Sequence, residues 1–318
     1  MLHARWLNLN QGLPWTYLLM LVGICSFNAG LSGQDFPGDM TLSKVLMPGK
    51  GWQSLQQGFQ FTDGACSDEY GNFYFVGKRS EESAIYRINT DDEMEVFIPR
   101  APGVSGLAFG PDGRLYACRW SKNDVIVFEA SGDMIVLAED VHANDLAIHA
   151  QGHLFYTAQR GVVWLNPLAD WKQTLLSPEP ASPNGISLNP DGGMLLVSEY
   201  AGQHVWSFAV DPVSGGEHGE RYMTMRAPSD RSSCRGDGMT VDSEGRSYVT
   251  TALGLQMFDA TGRISGIIAI PAAARGMNNV VFAGSRRDHL FITCSQGIFK
   301  RQTKAKGFWH FNSKTESR

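Results

Sequence analysis

At 318 residues the chain is long enough for one large domain or two ordinary ones, and its 43% apolar and 19% charged content is that of a globular protein. The net charge is −5, and no basic stripe with interleaved aromatic residues occurs before the C-terminal end, which argues against a nucleic-acid partner. Heptads and low-complexity tracts are also missing, so coiled-coil and disordered classes are set aside.

The chain opens on a segment that does not read as part of a fold. No charged residue lies between Arg5 and Asp35, an apolar run extends from Trp15 to Phe27, and the small residues Ala29, Gly30, Ser32 and Gly33 follow. A basic start, an apolar middle and a small-residue exit form a secretory signal, so residues 1–33 are expected to be a signal peptide. Residues 34–318 are then one exported domain with a short basic tail, periplasmic or secreted. An uncleaved N-terminal anchor is the alternative, because the uncharged stretch is nearly long enough to span a bilayer. Cys25 follows Ile24 where a lipoprotein signal needs a small residue. Cys66, Cys118, Cys234 and Cys294 leave two disulfides or four buried thiols open, and their wide spacing disfavours a zinc-thiolate site.

From Thr62 onward one pattern recurs: a polar residue, a short apolar strand, a turn with an acid or glycine, and a second apolar strand. The copies read TDGACSDEYGNFYFVG, VSGLAFGPDGRLYACR, ANDLAIHAQGHLFYTA, PNGISLNPDGGMLLVS and GDGMTVDSEGRSYVTT, with turn glycines Gly71, Gly113, Gly152, Gly192 and Gly245. The intervals are 42, 39, 40 and 53 residues, and a looser sixth copy, MNNVVFAGSRRDHLFITC, follows. Each copy is a hairpin with an Asp-Gly type of turn. Further strands such as AIYRI, DVIVFEA, VVWLN, HVWSFAV and LQMFDA trail the copies. A period near 40 residues with several strands per unit predicts an all-β, six-bladed β-propeller of about four antiparallel strands per blade. The basic stretch from Lys300 to Lys306 reads as a solvated edge strand.

The repeat also places a site. Eight residues before each turn glycine stand Asp63, Ser105, Asn144, Asn184 and Asp237, and Asn278 is their equivalent in the sixth copy. In a propeller the first strand of every blade lines the central channel, so these positions form a ring at one mouth. Oxygen ligands with two acids suit a hard divalent cation, which would also relieve the repulsion between the carboxylates. Asn and Asp before Gly are ordinary turn formers too, and that reading stays open for each position taken alone.

Three segments, ANDLAIHAQGHLFYT, SPNGISLNPDGGMLLVSEY and GDGMTVDSEGRSYVTTALGLQMFDATGRISGIIAIP, resemble the signature segments of the gluconolactonase/regucalcin family, and NNVVFAGSRRDHLFITCSQGIFKR is similar to its closing blade. The resemblance runs from about Gly58 to Arg301. It implies a six-bladed propeller with one divalent metal on the axis, calcium first among calcium, magnesium, manganese and zinc, in a hydrolase that opens sugar lactones. It implies metal ligands at Asp63, Asn184 and Asp237, with Asp237 also catalytic, and substrate contact at Asn144. Ser105 and Asn278 are additional ring residues. Two positions depart from the family pattern: Asp63-Gly64-Ala65 stands where glutamate in EGP is usual, and His142 stands where some members place a substrate-holding arginine. A small-molecule lactone and a monomeric state are expected. A calcium- or ligand-binding propeller without turnover, and an esterase or phosphotriesterase at the same site, are the alternatives. Arg119, Arg160, Tyr200, His204 and Arg235 follow strand ends or flank ring positions, as rim or ordinary surface residues. No GxSxG elbow occurs, so serine-hydrolase chemistry has no support.

Overall fold

The structure is a computed structural model, and it describes residues 33–35, 41–211 and 213–311. The leader reading and Cys25 lie outside the described residues, apart from Gly33. The described chain forms six antiparallel sheets, five of four strands and one of five, which is the predicted six-bladed β-propeller. Blade one runs Phe61–Ser67, Phe73–Lys78, Ser83–Ile88 and Met94–Ile98 from the axis outward, and blades two to four repeat that order. Their innermost strands are Val104–Phe109, Ala143–Ile148 and Pro183–Leu188. Blades five and six begin at Met239–Val241 and Asn279–Ala283.

Two segments close the circle. Gln53–Gln57, ahead of blade one, pairs with Gly297–Gln302 as the outermost strand of blade six. Gly33–Asp35 adds a fifth strand to blade five beside Ile264–Ile268. The first of these corrects the reading of Lys300–Lys306 as a solvated edge. Lys300 and Arg301 lie on a strand covered from outside, Arg301 is 1% exposed over the Trp52 ring, and Lys300 pairs with Asp92.

Burial follows position in the blade. The second and third strands are sandwiched on both faces, and Leu154–Ala158, Asp124–Phe128 and Gly254–Phe258 are buried throughout. Outer strands such as Lys172–Ser177 stay largely solvated. The core is divided into six apolar clusters, each filling the joint between adjacent blades. Phe73 stacked on Phe291 at 4.9 Å, for example, joins blade one to blade six. Cys66, Cys118, Cys234 and Cys294 are separate buried thiols within these joints, which resolves the disulfide question in favour of free thiols.

The turn glycines explain the repeat. Gly71, Gly113, Gly152, Gly192 and Gly245 all have positive φ and donate to the carbonyl three residues back. In the sixth copy Arg287 takes this place at φ 50, with its N–H on the Gly284 carbonyl at 2.8 Å. A non-glycine turn and one extra strand residue are why that copy looked loose.

Candidate functional site

The inner strands begin at one mouth of the channel, and polar residues at their starts or just ahead of them meet there. Asp63, Ser105, Asn144, Asn184, Asp237 and Asn278 are all half-buried around it. In blades one to four the register shifts at this point, between Asp63 and Cys66, Val104 and Gly106, Ala143 and Leu146, and Pro183 and Ile186. A bulge breaks the alternation of faces and re-aims side chains. Two consecutive residues can therefore look toward the axis.

The next residue in each strand makes a second, deeper layer: Gly64, Gly106, Asp145, Gly185, Gly238 and Asn279. Four glycines leave room that the other two fill. Asp145 and Asn279 come from opposite blades and are 7% and 5% exposed, and the Asn279 Nδ2 donates to Asp145 Oδ2 at 3.2 Å. The glycines are sterically required beside them. A Cβ on Gly106 would lie 2.6 Å from Asp145 Oδ1, and one on Gly238 would lie 2.2 Å from the Asn279 amide. Asp145 and Asn279 are axial residues that the eight-residue count passed over.

The axis is acidic and poorly compensated. Burial raises Asp63 from 3.8 to about 7, the Gly64 N–H opposes this, and the Asp145 charge adds to it. Burial likewise raises Asp145 to about 7 against hydrogen bonds from Leu146 N–H and Asn279. Asp237 is pushed well above the usual carboxylate range, first by burial and then by the Asp63 and Asp145 charges, while the Asn184 side chain hydrogen-bonds it. Among the described residues no Lys or Arg forms an ion pair with any of the three.

Hydroxyls stitch the ring backbone together. Ser105 Oγ donates to the Asn144 carbonyl at 2.7 Å, Thr157 Oγ1 to Asn184 at 2.6 Å, Ser198 Oγ to Asp237 at 2.7 Å and Thr250 Oγ1 to Asn278 at 3.1 Å. Asn278 Nδ2 donates to the Thr62 carbonyl at 2.7 Å and so joins blade six to blade one. Ser105 and Asn278 thus sit on the ring but spend their side-chain donors on neighbouring backbone.

Three recesses form a crescent over the mouth. One of about 510 Å³ is lined by Asp63, Ser105, Trp120 and Asn144, and one of about 230 Å³ by Trp120, Asn144, Asn184 and Tyr200. The third, of about 410 Å³, is lined by Tyr200, Arg235, Asp237, Arg275 and Asn278. His142 is exposed at the rim, with its ring 5.7 Å from Trp120. Of the other rim candidates, Arg119 is paired with Asp124, Arg160 bonds Gln173 at 2.7 Å, and His204 lies 3.7 Å from Glu199. At the far end of the channel Phe308, Trp309, His310 and Phe311 lie against the inner strands.

A protein-family model described as the SMP-30/Gluconolactonase/LRE-like region matches residues 136–296, half of the chain. The chain belongs to that family. The matched span contains Asn144, Asn184, Asp237 and Asn278, whereas Asp63 precedes it. A gluconolactonase of Zymomonas mobilis subsp. mobilis is 24% identical over 238 residues, and the chain spans 65% of that relative's length with 65% of its own. Among solved structures, a gluconolactonase of Xanthomonas campestris superposes with a TM-score of 0.71 at 18% identity, covering 86% of this chain and 94% of its own. Regucalcin of Agrobacterium tumefaciens, titled a calcium-binding protein, gives 0.66 at 16% identity, covering 82% and 96%. At these identities the structures establish the shared propeller fold of the family.

Proposed function

We propose that the protein is a metal-dependent hydrolase that opens sugar lactones. The observation that carries this reading is the axial set Asp63, Asn184 and Asp237, with Asn144 beside it, at the mouth of a propeller from a family with gluconolactonase relatives. The donor chemistry fits a cation. The set is all oxygen with two acids, and these carboxylates, raised first by burial and then by the Asp145 charge and, for Asp237, the Asp63 charge, lack a basic partner and so favour a bound positive charge. Asp63, Asn184 and Asp237 would hold it, calcium being the first to test. A divalent cation there supplies Lewis-acid polarisation of the lactone carbonyl and charge for its oxyanion.

The chain's own residues do the rest. The Asn144 amide, half-buried at the mouth between two recesses, orients the lactone, and His142 on the rim contacts the sugar hydroxyls. Asp237 takes a proton from water as its oxygen bonds to the carbonyl carbon. The ring C–O bond then breaks, and the departing ring oxygen takes that proton back. The leader motif supports a place of action outside the cytoplasm.

Asp63 favours a second reading. It is one methylene shorter than the glutamate usual in the family, and the same ring can then bind a cation or ligand without turnover. The deciding assay is gluconolactone hydrolysis after chelation and with each divalent cation restored. Turnover lost with chelator and returned by one cation supports the lactonase. A folded protein that turns over no lactone with any cation overturns it.

A further inference from the structure

The connections between blades are uneven in a way that marks one side of the mouth. Residues 99–103, 139–142 and 178–182 link the early blades, whereas residues 225–238 and 269–278 lead into blades five and six. Loops of extra length over a site are where binding residues concentrate. These two segments build the wall of the 410 Å³ recess above Asp237 and Asn278 and give it Arg231, Arg235 and Arg275. The longer of them also contributes to the lengthened interval between the fourth and fifth repeats.

The wall is basic in a chain of net charge −5. Arg231 is forked onto Asp230, at 3.1 and 2.9 Å. The guanidinium groups of Arg235 and Arg275 make no hydrogen bond or ion pair with any described residue, the Arg235 charge acting only through space on Asp230, and the segment 269–278 contains no acid. Neither is spent on Asp237, which shares the recess. Arg235 is held there in a left-handed backbone at φ 51, which is uncommon for a residue with a side chain. On the opposite side of the mouth Lys78 and Lys122 share their recess with Glu81 and Glu82. One side is therefore balanced and the other carries net positive charge. Planar guanidinium groups match carboxylate and phosphate oxygens, and a concave basic wall concentrates anions.

We infer that this wall seats an oxyanion carried by the substrate. The protein would then prefer an anionic lactone, such as a sugar diacid monolactone or a sugar lactone phosphate, over a neutral one. This inference rests on the lactonase reading for the reacting end and on Arg235 and Arg275 for the other. A recess of about 410 Å³ has room for one sugar-sized molecule reaching from the basic wall to Asp237.

The test uses the full chain and two readouts. In the first, calorimetry compares glucarate, gluconate phosphate and the neutral glucitol at low and high salt. In the second, kcat/KM is measured for a glucaric acid monolactone, phosphogluconolactone and gluconolactone. An anion should bind at least about tenfold more tightly than glucitol, with the advantage shrinking in high salt. Arg235→Ala and Arg275→Ala should each lower anion affinity, and the anionic-to-neutral ratio of kcat/KM, by about tenfold. Arg275→Lys should fall between, and Arg160→Ala, remote from the wall, should leave the ratio alone. The glucarate and phosphate arms tell which oxyanion is preferred. Equal affinity for anions and glucitol, or alanine variants that bind anions as the parent does, would overturn the inference. Arginine-dependent anion binding without hydrolysis of any lactone would overturn the lactonase reading and leave the anion site standing.

Discussion

Replacing Thr157 by Val tests whether the hydroxyl stitches hold the ring. Thr157 is fully buried, and its Oγ1 donates to the Asn184 carbonyl at 2.6 Å, with the Asp145 carbonyl a weaker acceptor at 3.4 Å, and accepts from the Asp145 N–H at 3.1 Å. Val keeps the shape and strips both partners, and the buried Asp145 N–H has no water to turn to, while the Asn184 carbonyl lies nearer the half-buried mouth. Each stranded group costs about 1–3 kcal/mol, and partial relaxation of the backbone brings the expected total to about 2–4 kcal/mol. Thr157→Ser retains the hydroxyl and should lose less than about 1 kcal/mol, mainly from the missing methyl. Urea unfolding reads this as a lower midpoint at constant slope. Because the two partners belong to Asn184 and Asp145, Thr157→Val should also weaken cation binding, while Thr157→Ser should not. A loss under about 0.5 kcal/mol, or equal losses for Val and Ser, would refute the argument that these contacts bear stability.

The chelated protein should lose stability as pH rises. Asp63 and Asp145 are raised from 3.8 to about 7, so the folded state holds protons that the unfolded state releases between those values. Added calcium should consequently raise the melting temperature more at pH 8 than at pH 5, and an equal rise at both would count against an axial cation. His310 acts in the opposite direction. Burial first, and then the His149 charge, lower it from 6.5 to about 4, so its contribution is intact above 6.5 and is lost as pH falls. The loss amounts to about 2 kcal/mol by pH 5. His310→Phe should shrink the difference in urea stability between pH 8 and pH 5 by that amount, and an unchanged difference would exclude the assignment. Asp237→Asn should abolish lactone turnover with the fold intact, and a full rate in the variant would remove Asp237 from the chemistry.

The blades were legible because a single constraint repeats. A hairpin turn that needs positive φ puts glycine at Gly71, Gly113, Gly152, Gly192 and Gly245, and counting back from it finds the first residue on the axis. The count missed Asp145 and Asn279 because it assumes that the neighbour of an axial residue points away, as strand alternation requires. The bulge between Ala143 and Leu146 removes that assumption for Asp145. Asn279 has a different signal, since it stands in register with the glycines Gly64, Gly106, Gly185 and Gly238. The count cannot tell how a ring residue uses its side chain: Ser105 and Asn278 give their donors to neighbouring carbonyls. Pairing between distant segments was also invisible. Nothing local in Gln53–Gln57 says that it covers Lys300 and Arg301, so that segment looked like an exposed edge.

The two axial layers differ in what they can do, and their neighbours explain the difference. The upper residues keep one side toward water, so Asp63, Asn184 and Asp237 can exchange a ligand. The lower pair cannot, since Asp145 is closed in by Leu146 N–H, Asn279 and the Gly106 backbone. Its charge still reaches upward and is among the causes that raise both Asp63 and Asp237. A buried acid beneath two others would be costly if it served packing alone, because an apolar pair from blades three and six could fill the same gap without repulsion. Its presence makes sense if the upper layer holds positive charge, which turns the repulsion into attraction and tightens the site. Asp145→Asn separates these cases. With a cation in the ring the variant should bind it less tightly, and the fall in stability of its chelated form between pH 5 and pH 8 should shrink, although the Asn279 amide loses its acceptor. Without one, added calcium should leave the stability of both parent and variant unchanged.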